Sequence, residues 1–341
     1  MRVAMYYSNR DVRLEELPLP QIGPGELLVK VITSGICGSD VMEWYRARKA
    51  PLVLGHEIAG DIVEVGEDVE GLSVGDRVFV SHHVPCGECH YCLHDNETVC
   101  ETLRSTNFDP GGFAEFIRVP QINVKKGTFR LPENMSYDEG TFIEPLACVV
   151  RGQRRAGMET GKSVLVIGSG ISGILHLQLA QYNGARCVMA TDISRYRLDM
   201  ARRIGADAVV HAEEDVSGRL REINEGRLAD LVIICAGAEQ AVRQGLQSVE
   251  RGGTILLFAP PAPEVTFPIE LCALWREGIT LTTSYAGSPR DIAEAIEIIG
   301  SQNINVRDMI THRLGLGETG LGFQLTAEAG DSLKVIIEPQ R

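Results

Sequence analysis

No stretch of 18 uncharged apolar residues occurs anywhere in the chain, which removes the usual signal for a membrane-spanning helix. The first nine residues, Met1–Asn9, hold one basic residue and no long apolar run, so the pattern of an export signal is missing as well. Basic residues are outnumbered. Lys and Arg total 33 against 46 Asp and Glu, the formal charge is −13, and the densest basic cluster is only Arg46, Arg48 and Lys49. A surface of that sign repels phosphate backbones, which argues against nucleic acid as a partner. Internal repeats and low-complexity segments are absent too. The expectation is a cytoplasmic protein with neither a nucleic-acid nor a membrane partner.

What is there points to two domains, because 341 residues exceed what one hydrophobic core ordinarily supports. The front of the chain, from Arg2 to about Arg118, shows short alternating segments separated by glycine turns: Leu27–Ile32, Ile58–Val65 and Arg77–Val80. These read as antiparallel strands. After Pro145 the character changes. Apolar runs at Ser163–Gly168, Cys187–Asp192, Ala208–His211, Asp230–Ala236 and Thr254–Phe258 alternate with helix-length stretches near Ser172–Asn183, Ser194–Ile204, Glu213–Asn224 and Gln240–Val249. That alternation predicts an α/β doubly wound parallel sheet. A further strand at Ile279–Tyr285 and a helix near Pro289–Gly300 follow, and Asp308–Leu316 and Lys334–Ile337 look β-rich, returning to the first domain.

Nine cysteines are present, and four of them crowd as C-x2-C-x2-C-x7-C: Cys86, Cys89, Cys92 and Cys100. Four thiolates so close in sequence suit a closed, structural zinc site; an iron–sulfur cluster and a reduced surface loop are the alternatives. His82, His83, His90 and His94 lie in or just before this lobe and are given no role, since four cysteines already fill a tetrahedron.

Gly168-Ser169-Gly170-Ile171-Ser172-Gly173 directly follows an apolar strand and opens a helix, the context a G-x-G-x-x-G dinucleotide turn requires. Asp192 ends the next strand, 24 positions after Gly168. An acidic residue there hydrogen-bonds the ribose hydroxyls and repels a 2′-phosphate, which favours NAD over NADP. The competing reading makes Asp192 a cap for the helix after Ser194. Arg195 and Arg197 beside it could instead accommodate the 2′-phosphate.

A second metal site is suggested by Cys37 in Gly35–Asp40 and His56 in Gly55-His56-Glu57. A catalytic zinc needs three protein ligands and one open position, so the third comes from Glu57 or from farther away, with Glu144 in Ile143-Glu144-Pro145-Leu146 the favoured candidate. Together with the four-cysteine lobe, these motifs resemble the medium-chain zinc-dependent dehydrogenases along essentially the full chain. The carboxylate at Glu144 is similar to the sorbitol (polyol) and threonine dehydrogenase branches.

The resemblance implies a GroES-like, β-rich catalytic domain at 1–147 and 286–341, with the structural zinc lobe at 86–100, and a Rossmann NAD-binding domain at 148–285. It implies two zinc ions per chain. Cys37 and His56 would bind the catalytic ion directly, and Glu57 and Glu144 directly or through water. Ser39 would take the proton of the substrate hydroxyl, and Asp40 would orient the ligating imidazole, a turn cap being its other reading. Arg197 would accompany NAD. The backbone of Phe258, Ala259 and Pro260 would lie near the nicotinamide, with Ser284 and Tyr285 also at the cofactor and Tyr285 facing substrate. Glu43 stands where sorbitol dehydrogenases carry a substrate-facing tyrosine; it either accepts hydrogen bonds from an amino alcohol or cyclic polyol, or points to solvent. The cluster Arg46, Arg48, Lys49 either recognises an anionic substrate group or is a solvated face.

The expected activity is oxidation of a secondary alcohol of a polyol or cyclitol to a ketone with NAD. A threonine-type amino alcohol dehydrogenase is the alternative, and a zinc-ribbon binding module on an inactive scaffold the reading from another class. The family suggests a homodimer or homotetramer through the edge strand Ile279–Tyr285.

Overall fold

The computed structural model describes residues 1–341, which divide into two units: Met1–Ala147 with Ala286–Gln302 and Val306–Arg341, and Cys148–Tyr285 with Asn303–Asn305. In chain order the first unit carries β1 (Arg2–Ser8), β2 (Asp11–Glu16), β3 (Leu27–Gly35), β4 (Leu52–Val53), β5 (Glu57–Val65), β6 (Arg77–Val80), β7 (Phe116–Val119) and β8 (Thr128–Arg130). The second carries β9 (Ser163–Ile167), β10 (Cys187–Asp192), β11 (Ala208–His211), β12 (Ala229–Ile234), β13 (Val249–Leu257) and β14 (Thr280–Thr283). The chain then returns to the first unit with β15 (Ile310–Gly315) and β16 (Lys334–Glu338).

In the first unit β1 lies between β2 and β4, and a larger sheet runs β15-β16-β3-β5-β6-β8 with β7 also on β3. Apolar residues of β3, β5, β6 and β7, among them Val29, Val31, Ile58, Ile62, Val78 and Ile117, close over one core. The long strand β3 does most to position the site. Its last residue, Gly35, sits opposite both Glu57 at the start of β5 and Ile336 in β16. The loop that follows β3 and the first residues of β5 and β16 therefore meet at one end of this sheet. A Cβ on Gly35 would land on the ends of the Lys334 and Glu57 side chains, so any other residue there would have to displace that pair.

The second unit is an all-parallel sheet in the order β11-β10-β9-β12-β13-β14. Alternate residues explain why its strands read as continuous apolar runs. Val164, Val166, Val188 and Ile233 pack on one face with the helices Ile171–Tyr182 and Arg195–Ile204. Leu165, Ile167, Met189 and Val232 pack on the other with Val216–Ile223 and Glu239–Ser248. The order reverses at β9, so the turn after β9 lies at the switch point where such sheets bind ligands.

Helices not marked by the sequence pattern include Ile143–Arg155, Leu271–Glu277 and Thr319–Glu328. In the first, Pro145 occupies the opening turn, where a missing N–H costs no internal hydrogen bond. No helix is long and apolar enough to cross a membrane.

Candidate active site

The four lobe cysteines converge as their spacing predicts. Cys89 and Cys92 sulfurs are 3.5 Å apart, Cys86 and Cys100 3.7 Å, and Cys86 and Cys92 3.9 Å. A tetrahedral zinc with bonds of about 2.3 Å sets sulfur–sulfur edges of about 3.8 Å, so this donor set fits the ion, whereas a disulfide would need about 2 Å. Backbone N–H groups of Glu88 and Cys89 point at the Cys86 sulfur at 3.5 and 3.3 Å, an arrangement that suits a thiolate. His94 Nδ1 is turned onto the His90 carbonyl, 2.7 Å away, so it serves the loop.

A second set of donor atoms, from Cys37, His56 and Glu57, lies within 4.8 Å of one another. Cys37 follows β3 in a turn closed by its own N–H to Asp40 Oδ2 at 3.1 Å and by Asp40 N–H to its carbonyl at 3.0 Å. Asp40 is fully buried. Its Oδ1 lacks a hydrogen bond of normal geometry but stands 3.3 Å from His56 Nδ1 and 3.6 Å from the Arg46 guanidinium. Burial alone would raise its pKa; His56 and Arg46 keep the carboxyl below its ordinary value. With Nδ1 facing that anion, Nε2 is the nitrogen left for a metal, the arrangement that fixes a ligating imidazole. A soft thiolate, an oriented imidazole and a nearby carboxylate suit zinc with an open position.

Glu57 has a partner that nothing in the sequence announces: Lys334, at the start of β16, forms a buried ion pair with it. Lys334 Nζ also lies 5.3 Å from the Phe142 ring centre. Glu144 sits in the first turn of Ile143–Arg155, outside the Cys37–His56–Glu57 donor group. Glu43 begins the short helix Glu43–Arg46, is exposed, and accepts the backbone N–H of Asn9 at 3.3 Å. Ser39 receives Arg46: the guanidinium donates to its carbonyl at 2.9 Å and to its Oγ at 3.1 Å.

His82 and His83 belong beside this site. The His82 ring centre is 4.7 Å from that of His56 and 3.8 Å from that of His83. Burial pushes His82 well below the ordinary imidazole value and His83 to about 4, so both are neutral rings at neutral pH. The doublet just before Cys86 was the available signal for them.

In the second unit Gly168 turns at φ +94° after β9, and a Cβ on Gly173 would sit 1.8 Å from the Gly168 carbonyl oxygen, so helix and turn close only with glycine. A Cβ on Gly170 would meet only the Arg197 guanidinium, at 3.6 Å. The helix Ile171–Tyr182 starts without a side-chain cap, leaving its N–H groups for an anion, and Arg197 Nε is buried with no hydrogen-bond partner. This cradle fits a dinucleotide pyrophosphate. Asp192, 6% exposed, accepts the backbone N–H groups of Ser169 at 2.6 Å and Ser194 at 2.8 Å, so its carboxylate is fixed beside the turn. Phe258 and Ala259 both donate N–H to the Ile234 carbonyl, at 3.0 and 3.1 Å, which folds the end of β13 against β12; Pro260 is exposed. Ser284 Oγ is buried without a hydrogen bond, and Tyr285 is half exposed.

Residues 23–132 match the family of the alcohol dehydrogenase GroES-like domain, and residues 172–301 match the zinc-binding dehydrogenase family. The chain is 33% identical to sorbitol dehydrogenase of Mus musculus, over 96% of this chain and 93% of that protein. It is 34% identical to L-threonine 3-dehydrogenase of Pyrococcus horikoshii, over 95% and 94%. A solved structure from Sinorhizobium meliloti, described as a zinc-binding dehydrogenase bound to NADP, superposes with a TM-score of 0.88 at 27% identity, covering 99% of each chain.

Proposed function

Because this chain belongs to the medium-chain zinc-dependent dehydrogenase superfamily, in its polyol and threonine dehydrogenase branch, we propose that it oxidises a secondary alcohol of a polyol or cyclitol to a ketone with NAD. The observation that carries this reading is the convergence of Cys37, His56 and Glu57, three donors that leave one position open, apart from the four thiolates of the lobe, which leave none.

When bound, zinc supplies Lewis acidity to the substrate hydroxyl and the dinucleotide supplies the acceptor for hydride. The chain does the rest. Cys37 and His56 would hold the metal, Glu57 or Glu144 would complete the set, and Asp40 keeps the His56 ring oriented through Nδ1. Ser39 Oγ takes the hydroxyl proton. The Gly168–Gly173 turn, the uncapped helix behind it and Arg197 bind the pyrophosphate, and the fixed Asp192 carboxylate takes the ribose hydroxyls and disfavours a 2′-phosphate. Phe258, Ala259, Pro260, Ser284 and Tyr285 complete the cofactor side. The same reading takes the protein to be a cytoplasmic homodimer or homotetramer.

A panel of polyols, inositols and threonine, each with NAD and with NADP, tests the proposal. Turnover of polyols or inositols with NAD is expected. Threonine as the best substrate, a reading favoured by the 34% identity to the Pyrococcus enzyme, would replace the substrate class, and faster turnover with NADP would remove the role given to Asp192.

A further inference from the structure

Arg46 ends the short helix Glu43–Arg46 and is only 15% exposed in its side chain, yet it forms no ion pair on the protein surface. Its guanidinium turns inward onto the loop after β3. Nε donates to the Ser39 carbonyl at 2.9 Å, an Nη nitrogen donates to Ser39 Oγ at 3.1 Å, and the same nitrogen lies 3.6 Å from Asp40 Oδ1. Two donors on one residue fix both its backbone and its hydroxyl.

A serine hydroxyl has one proton and two lone pairs, and guanidinium has donors only. With one lone pair held by Arg46, Ser39 Oγ keeps a single lone pair to receive a proton and a single O–H to give one away. Neither can be directed at Arg46, so both face away from it. We propose that Arg46 is a positioning residue for proton transfer at Ser39: it sets the hydroxyl so that the free lone pair is presented to the substrate. The substrate O–H bond breaks as an O–H bond forms on Oγ, and the proton that Oγ already carried passes to water. Lysine could supply one of the two donors, methionine neither. This rests on the proton role given to Ser39 above.

The test uses the full-length, zinc-loaded protein with the best alcohol of the panel, in a cycle of Arg46→Met, Ser39→Ala and the double variant, with Arg46→Lys alongside. Arg46→Met is expected to lower kcat on the order of tenfold with KM unchanged and to raise the solvent deuterium isotope effect. Arg46→Lys should recover part of the loss. In the Ser39→Ala background the Arg46 change should have no further effect on kcat, and zinc content should equal the parent's. A rise in KM with kcat intact would overturn the proposal in favour of a substrate-binding charge. An equal fold-loss with and without Ser39, or loss of zinc from Arg46→Met, would overturn it in favour of structural support. A Ser39→Ala variant with the parent's kcat would overturn the role of Ser39 itself, and the inference with it.

Discussion

Replacing Lys334 by Met is the change whose cost follows most directly from the structure. The ammonium is completely buried, and its ion-pair partner Glu57 is 1% exposed, so neither charge has water to fall back on. An exposed pair would be worth at most about 1 kcal/mol, but removing one partner of a buried pair strands the other charge and costs about 3–5 kcal/mol. Spread over a unit of this size, at about 2–4 °C per kcal/mol, the thermal midpoint should drop by roughly 6–20 °C. The measurement is circular dichroism melting with zinc counted in every variant, because Glu57 is itself a candidate ligand, and a urea titration at one temperature is a second reading. Lys334→Met combined with Glu57→Met removes both charges and should recover most of the loss, because an apolar pair of similar volume is about as stable as a buried ion pair. A drop smaller than about 3 °C for Lys334→Met, or a double variant less stable than the single one, would refute the view that burial makes this pair indispensable.

The two metal roles separate by mutation. Cys100→Ser should lower zinc from two ions per chain to one and reduce thermal stability with some activity left in the folded protein, whereas His56→Ala should also lose one ion and abolish turnover while the protein still folds; elemental analysis and calorimetry check both. In the glycine turn, Gly173→Ala places a methyl group 1.8 Å from the Gly168 carbonyl and should damage folding, while Gly170→Ala, whose Cβ meets only Arg197 at 3.6 Å, should melt like the parent yet bind the dinucleotide at least tenfold more weakly in fluorescence titrations. Acid sensitivity should trace in part to Glu139. It is buried, which alone would raise its pKa, but it accepts Arg307 at 2.9 and 3.1 Å and Ser136 at 2.8 and 2.7 Å, which hold it below the ordinary value. A carboxyl depressed on folding stabilises above its unfolded pKa of about 4.3 and loses that contribution as pH falls through its folded value. Glu139→Gln should therefore be destabilised by about 1–3 kcal/mol at pH 7, with the gap to the parent closing in urea midpoints measured below about pH 4.

How much of this was legible in the sequence depends on how far apart the interacting residues lie. The parallel sheet was legible because both faces of its strands are buried, so Ser163–Ile167 and Ala229–Ile234 stand out as unbroken apolar runs. The cysteine lobe was legible because all four ligands fall within one loop. The helix Thr319–Glu328 was not: Leu321, Phe323 and Leu325 alternate as in a strand, yet only Phe323 is fully buried while Leu321 is 47% exposed. Lys334 could not be paired with Glu57 either, because the two are 277 positions apart and meet only through the antiparallel pairing of β16 and β5 with β3. His82 and His83 were visible as a doublet just before the lobe but were given no role, whereas the segment after β6 brings His82 to His56. Arg46 stood in a basic cluster that reads either as a site for an anionic substrate group or as a solvated face; only the fold of the loop after β3 turns it onto Ser39.

The central claim is that zinc at Cys37 and His56 makes this chain an alcohol-oxidising enzyme. It is tested most directly by following reduction of NAD by the polyol and inositol panel in the protein and in Cys37→Ser, with zinc counted in both. The account predicts two zinc ions and NADH formation for the protein, and one zinc ion with no NADH formation for Cys37→Ser. Undiminished NADH formation by a Cys37→Ser protein that holds one zinc ion would contradict it.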